Sequence, residues 1–184
     1  MAYDALKARV KNRGSPPESF LDELIAWGAE APEEIFAPNA AQDIYTSVRP
    51  VLGPWRDNLH RRAAMLEVMR VLAGFESSWR WTEGRDVTNS TSVTPTTIEA
   101  GAWQVSANSM NFGQELRALV VEHVGSADGN AFQAAMKSDH ALAMEYVARL
   151  LRRTVNHHGP VKRREIHPWL SKDAVAELID HLAR

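Results

Sequence analysis

A chain of 184 residues with 45% hydrophobic and 24% charged residues is long enough for one sizeable core and short for two, which predicts a single soluble domain. The formal net charge of -2 argues against a protein that gains its affinity for nucleic acid by neutralising phosphates, and the absence of cysteine excludes disulfides, thiolate nucleophiles and cysteine-ligated metal sites. There is no run of about 18 uncharged apolar residues, and "MAYDALKARVKNRG" carries charges every few residues, so the expectation is a cytoplasmic product with no stable membrane insertion, reaching any target across a membrane by a route not encoded here.

In "GSPPESFLDELIAWGAEAP" the turn residues Ser15, Pro16 and Pro17 precede Phe20, Leu21, Leu24, Ile25 and Trp27 at helical spacing. A weaker helix is expected over about 40–48, before Pro50, Gly53 and Pro54 break the chain. Asn58 can then cap a longer helix to about 74, broad enough in its apolar stripe to be the central, buried one. Residues 82–98 change texture: "TEGRDVTNSTSVTPTTI" suits turns or a small irregular hairpin, with no coherent period-2 strand. "EAGAWQVSANSMN" reads as a short helical or turn segment, and helices follow from Phe112 to His123, over about 130–136 and over 139–155. Ser171 is positioned to cap a last helix with Asp173 in its first turn. The expected fold is mainly α, with a central helix, a small irregular or β-containing polar insert, and residues 1–57 as a helical extension packed on the rest.

Candidate chemistry gathers where the central helix ends. Glu76 follows the apolar "RVLAGF", a position that can desolvate its carboxyl group, raise its pKa and let it donate a proton. Trp79, Trp81 and Trp103, interleaved with Arg80, Glu83, Arg85 and Gln104, could wall a polar cleft or simply pack in the core. Glu83, Asp86 and Glu99 are candidates for the second carboxylate that glycoside hydrolysis commonly uses, and spacing across an irregular insert does not choose among them. No metal motif is visible: His157 and His158 are adjacent and would diverge on a helix, and the other histidines are scattered. The run Arg149, Arg152, Arg153, Lys162, Arg163 and Arg164 is either a solvated face or an attraction for an anionic polymer.

The pair "GFESSW" and "GAWQVS" resembles the lysozyme superfamily, in particular goose-type lysozymes and soluble lytic transglycosylases, over roughly residues 59–160. Glu76 and Ser77 match the catalytic glutamate and following serine; Gly101, Gln104 and Val105 match the cleft segment; Asn156 and Gly159 in "TVNHHG" match loosely the late Asn motif. The resemblance implies a lysozyme-like fold and a cofactor-independent enzyme, of phage-lysis or delivered-toxin type, that cleaves the β-1,4 bond after N-acetylmuramic acid in peptidoglycan. Glu76 would be the general acid, with Ser77, Trp79, Trp81, Gly101, Trp103, Gln104, Ser106, Tyr146 and Asn156 as the substrate-binding set. Val155 replaces the aromatic residue usual before the late Asn, leaving Tyr146 to take its part, and Ser106 stands where goose-type enzymes tend to carry a carboxylate, so Glu83, Asp86 or Glu99 must supply it for hydrolysis. Attack by the muramic C6 hydroxyl, giving an anhydro sugar, needs no second carboxylate. Chitin or chitosan as the polymer, and a non-catalytic glycan- or protein-binding module built on the tryptophans, are the alternatives.

Overall fold

The computed structural model describes residues 3–38 and 43–183. Helix α1 (Glu18–Glu30) starts directly after Pro17, whose extended conformation ends the loop, and buries Phe20, Leu21, Leu24 and Ile25 on one face. A 3₁₀ turn, Glu33–Phe36, then turns Ile35 and Phe36 into the core. Helix α2 (Ile44–Leu52) begins where Asp43 accepts the Thr46 amide at 2.8 Å. It therefore starts later and ends later than the expected 40–48, of which residues 40–42 lie outside the described part.

Helix α3 (Asn58–Ser77) is the central element. Its cap is Asp57 rather than Asn58: the Asp57 carboxylate accepts the His60 amide at 2.7 Å, so the helix begins on the residue expected to cap it. It also runs three residues past the expected end, which places Glu76 within its last turn. Every side from Ala63 to Ala73 is buried, including Glu67 and Arg70. Burying two charges is tolerable only if they pair and every remaining polar atom is satisfied. Arg70 Nε donates to Glu67 Oε2 at 2.6 Å and Nη2 to Oε1 at 2.8 Å, while Nη1 donates to the carbonyls of Leu6 and Ala8 at 3.3 and 3.2 Å. Glu67 Oε1 also accepts the Ser171 amide at 2.9 Å. One buried ion pair thus fastens the N-terminal segment, α3 and the start of the last helix together.

Two very short strands, β1 (Glu99–Ala100) and β2 (Val105–Ser106), pair antiparallel with Glu99 opposite Ser106 and Ala100 opposite Val105. The hairpin falls after the polar stretch, within "EAGAWQVS", where a helical or turn segment was expected; residues 82–98 are held by turns in which Asp86, Asn89 and Thr97 accept backbone amides. A 3₁₀ turn, Ala107–Phe112, leads into α4 (Gln114–Val124), α5 (Gly129–Ser138) and α6 (His140–Arg153). Asp128 and Asp139 cap α5 and α6. After the single-turn α7 (Gly159–Lys162), the last helix α8 (Lys172–Leu182) is capped as expected, with Ser171 Oγ accepting the amides of Asp173 and Ala174. Glu177 on α8 accepts the amides of Asp4 and Leu6 at 2.9 and 3.0 Å. Leu6, Val10, Phe20 and Leu24 from the first 57 residues share one apolar cluster with Leu66, Val120, Tyr146 and Leu178, so the mainly α class holds with a core that both parts build. No helix among the described residues is long and apolar enough to cross a membrane.

Candidate active site

The last turn of α3, the polar stretch, the hairpin and the segment 156–160 surround a cleft of about 1060 Å³. Glu76 lies on its wall with a side chain 20% exposed. Burial, and behind it the negative charge of Glu99, push the Glu76 carboxyl from 4.5 up to about 8; Arg163 and Arg13 pull the other way without cancelling this. At neutral pH this group holds its proton.

His158 stands beside it, with Nδ1 3.6 Å from Glu76 Oε1 and a side chain only 3% exposed. Burial drives the imidazole down to about 3, so the ion pair one would draw from the distance alone is absent: a neutral imidazole faces a protonated carboxyl. His157 is held down to about 3 by burial and by His158, against the pull of Glu99, and packs its ring edge to face against Phe112. Both histidines line the cleft. The sequence offers them only as adjacent residues that would diverge on a helix; the signal available is their place inside the loose Asn156–Gly159 motif, and their burial is a tertiary fact.

Of the three candidate second carboxylates, each lines the cleft but in a different condition. Glu83 is engaged by Arg80 in an ion pair three residues away. Asp86 is exposed and closes a local turn, accepting the Thr88 amide at 2.8 Å and its hydroxyl at 2.6 Å, which hold its carboxyl below the usual range. Glu99, at the start of β1, is held by neutral donors: Asn89 Nδ2 at 2.6 Å and the Ser92 hydroxyl. It is also the anion felt most strongly by Glu76.

Gln104, Ser106 and Asn156 line the cleft. Gln104 adopts φ +47° and its Nε2 donates to the Gly101 carbonyl at 3.1 Å. Gly101 itself has φ +76°, and a Cβ there would lie 2.4 Å from the Met136 carbonyl oxygen, so its part is to let the hairpin turn close against α5. Ser77 lies on the wall, its hydroxyl donating to the Ala102 carbonyl at 2.8 Å and so tying the helix end to the hairpin.

The tryptophans and Tyr146 are elsewhere. Ser78 and Trp79 both have positive φ, 57° and 60°, which folds the Trp79 indole back over the last turn of α3 onto Gly74. Its Nε1 donates to the Arg70 carbonyl at 2.8 Å, and Trp103 Nε1 does the same to Met69 at 2.9 Å; both rings are buried. Trp81 stacks on His140 with centroids 3.9 Å apart and packs against Phe20 and Trp103. Tyr146 is fully buried, its hydroxyl hydrogen-bonded to Ser109 at 2.6 Å. None of the four lines the cleft; its apolar surface comes instead from Phe112, Val87 and Pro160. Trp103→Ala is therefore expected to cost about 3–5 kcal/mol in denaturant unfolding, the penalty of an emptied core site, rather than to act by removing a cleft contact.

The basic run is partly neutralised within the fold: Arg149 pairs with Glu145, Arg153 with Glu115 and Arg163 with Glu165. Among the described residues no group of three or more histidines and carboxylates could hold a metal ion. Compared with known proteins, the chain matches no family model, no curated protein and no solved structure.

Proposed function

We propose that this protein is a peptidoglycan-cleaving glycoside hydrolase, a muramidase acting on the β-1,4 bond between N-acetylmuramic acid and N-acetylglucosamine. The observation that carries the reading is a carboxyl group held protonated near neutral pH on the wall of a large polar cleft that a second carboxylate with neutral hydrogen-bond partners also lines. The short motifs around Glu76 and Gln104 point the same way. Glu76 gives its proton to the glycosidic oxygen as the bond to the sugar's anomeric carbon breaks; its burial keeps it loaded up to about pH 8. Glu99 orients a water towards that carbon and takes its proton, so hydrolysis leaves a reducing end. Gln104 and Asn156 supply hydrogen bonds along the chain, and Phe112 offers an apolar face to a sugar ring.

The test is digestion of purified peptidoglycan followed by mass analysis of the soluble fragments. Reducing muropeptides are expected; anhydro ends would mean that the muramic C6 hydroxyl attacks instead, and release of no fragments would sink the enzymatic reading. Glu99→Gln is expected to slow reducing-end release about 100-fold and, by removing the nearby charge, to move the alkaline limb of the pH profile down from about 8. An unchanged limb and rate would remove Glu99 from the reaction.

A further inference from the structure

Arg13 lies 63 positions before Glu76 in sequence, outside the stretch that carries the motif resemblance, yet it lines the same cleft. Its guanidinium is steered there by the carbonyl of Phe75, the residue before Glu76, to which Nη2 donates at 3.4 Å. The loop bearing it is built rather than loose. Val10 is buried beside Gly74, its amide donates to the Gly14 carbonyl at 2.9 Å, and Arg13 returns an amide to the Val10 carbonyl at 2.9 Å. Upstream, the buried Arg70 holds the carbonyls of Leu6 and Ala8. Lys11 sits 5.2 Å from the centroid of the Phe75 ring, so a second cation lies on the same loop.

Three arginines line the cleft: Arg13, Arg80 and Arg85. Arg80 pairs with Glu83, whereas among the described residues no carboxylate approaches Arg13 or Arg85 within ion-pair distance, and of these two it is Arg13 whose guanidinium is hydrogen-bonded to the backbone beside Glu76. A planar guanidinium held at one end, with free N–H groups facing a groove, fits a carboxylate in a bidentate way that a neutral acetamido sugar cannot match. We propose that Arg13 is a carboxylate-recognition subsite beside Glu76, by which the cleft selects a glycan bearing an acidic substituent over a neutral N-acetylglucosamine polymer. The subsite rests on the reading of the cleft as a glycan site and names the substrate class within it. The acid has two sources in peptidoglycan: the lactyl group of muramic acid where it is unsubstituted, and the peptide where the lactyl group is amidated.

Binding decides it without turnover. The full chain carrying Glu76→Gln, alone and with Arg13→Gln or Arg13→Lys, is titrated by NMR with N-acetylmuramic acid, with N-acetylmuramyl-L-alanyl-D-isoglutamine, and with triacetylchitotriose. Arg13→Gln is expected to weaken the carboxylated ligands about tenfold, Arg13→Lys less, and chitotriose not at all; the effect on the acids should shrink as salt is raised. Weakening of N-acetylmuramic acid alone assigns the lactyl carboxylate, and weakening of the peptide-bearing sugar alone assigns the peptide. Equal effects on acidic and neutral ligands, or none, would overturn the subsite. Arg13-dependent binding in a protein whose wild type releases no peptidoglycan fragments would instead overturn the hydrolase reading and leave the subsite standing.

Discussion

Glu76→Gln is expected to lower fragment release from peptidoglycan by about 10²–10⁴-fold while the protein remains folded, because the amide fills the same space and has no proton to give. The same substitution has a signed effect on stability. Folding raises the Glu76 pKa from 4.5 to about 8, so the folded state binds this proton more tightly than the unfolded chain does. That contribution is whole below pH 4.5 and is lost as the pH rises through about 8. Glutamine has no such dependence. Denaturant unfolding should therefore show the two proteins diverging between pH 4.5 and 8, with Glu76→Gln the more stable above that range by up to about 4–5 kcal/mol. Retained turnover in the variant would remove Glu76 from the role of acid; matching pH-stability curves would show that its carboxyl is not strained by burial.

Arg70→Met is expected to be the most damaging single change to the fold, at about 3–5 kcal/mol, since it leaves Glu67 buried without its cation. The carboxyl of Glu67 is already pushed up by burial, with Arg70 the chief opposing influence. Without that cation it is raised further, so the deficit of Arg70→Met should be smaller at low pH, where the group is protonated, and larger as the pH rises. Replacing both partners, as in Glu67→Met with Arg70→Leu, removes the uncompensated charge and should recover most of the loss. Urea titrations of the single and double variants at about pH 5 and about pH 8 check both statements. The double variant still lacks the hydrogen bonds from Arg70 to Leu6 and Ala8, which anchor the segment that carries Arg13. Its stability and its affinity for acidic sugars should therefore separate, the first recovering more than the second.

Local chemistry made several features legible in the sequence. The Ser171 cap, the apolar periodicity of α1 and the prominence of "GFESSW" each depend on residues within a few positions of one another. The position of Glu76 at the edge of buried surface belongs to this group, since an apolar run leading into a polar one announces such an edge. The tryptophans show where local reading stops. In the sequence Trp79 sits among charges, but two consecutive left-handed residues turn it back onto Gly74, and no composition signal specifies that turn. His157, His158 and Arg13 fail for the complementary reason: the neighbours that matter, Phe112, Glu76 and Phe75 in turn, are 45, 82 and 62 positions away, and burial or an approach to Glu76 is decided by the packing of α3 against the segments that flank the cleft. The choice among Glu83, Asp86 and Glu99 likewise turned on hydrogen-bond partners, Arg80, Thr88 and Asn89, which a string of polar residues does not assign.

The ionisation of Glu76 is the most direct test of a proton donor built into the end of α3. Carbon-13 NMR of glutamate carboxyl groups, with the resonance assigned by its loss in Glu76→Gln, gives its midpoint in the folded protein. A midpoint near 8, moving down in Glu99→Gln, is the expected result; a midpoint at the ordinary 4.5, insensitive to Glu99, would contradict the assignment of Glu76 as the acid.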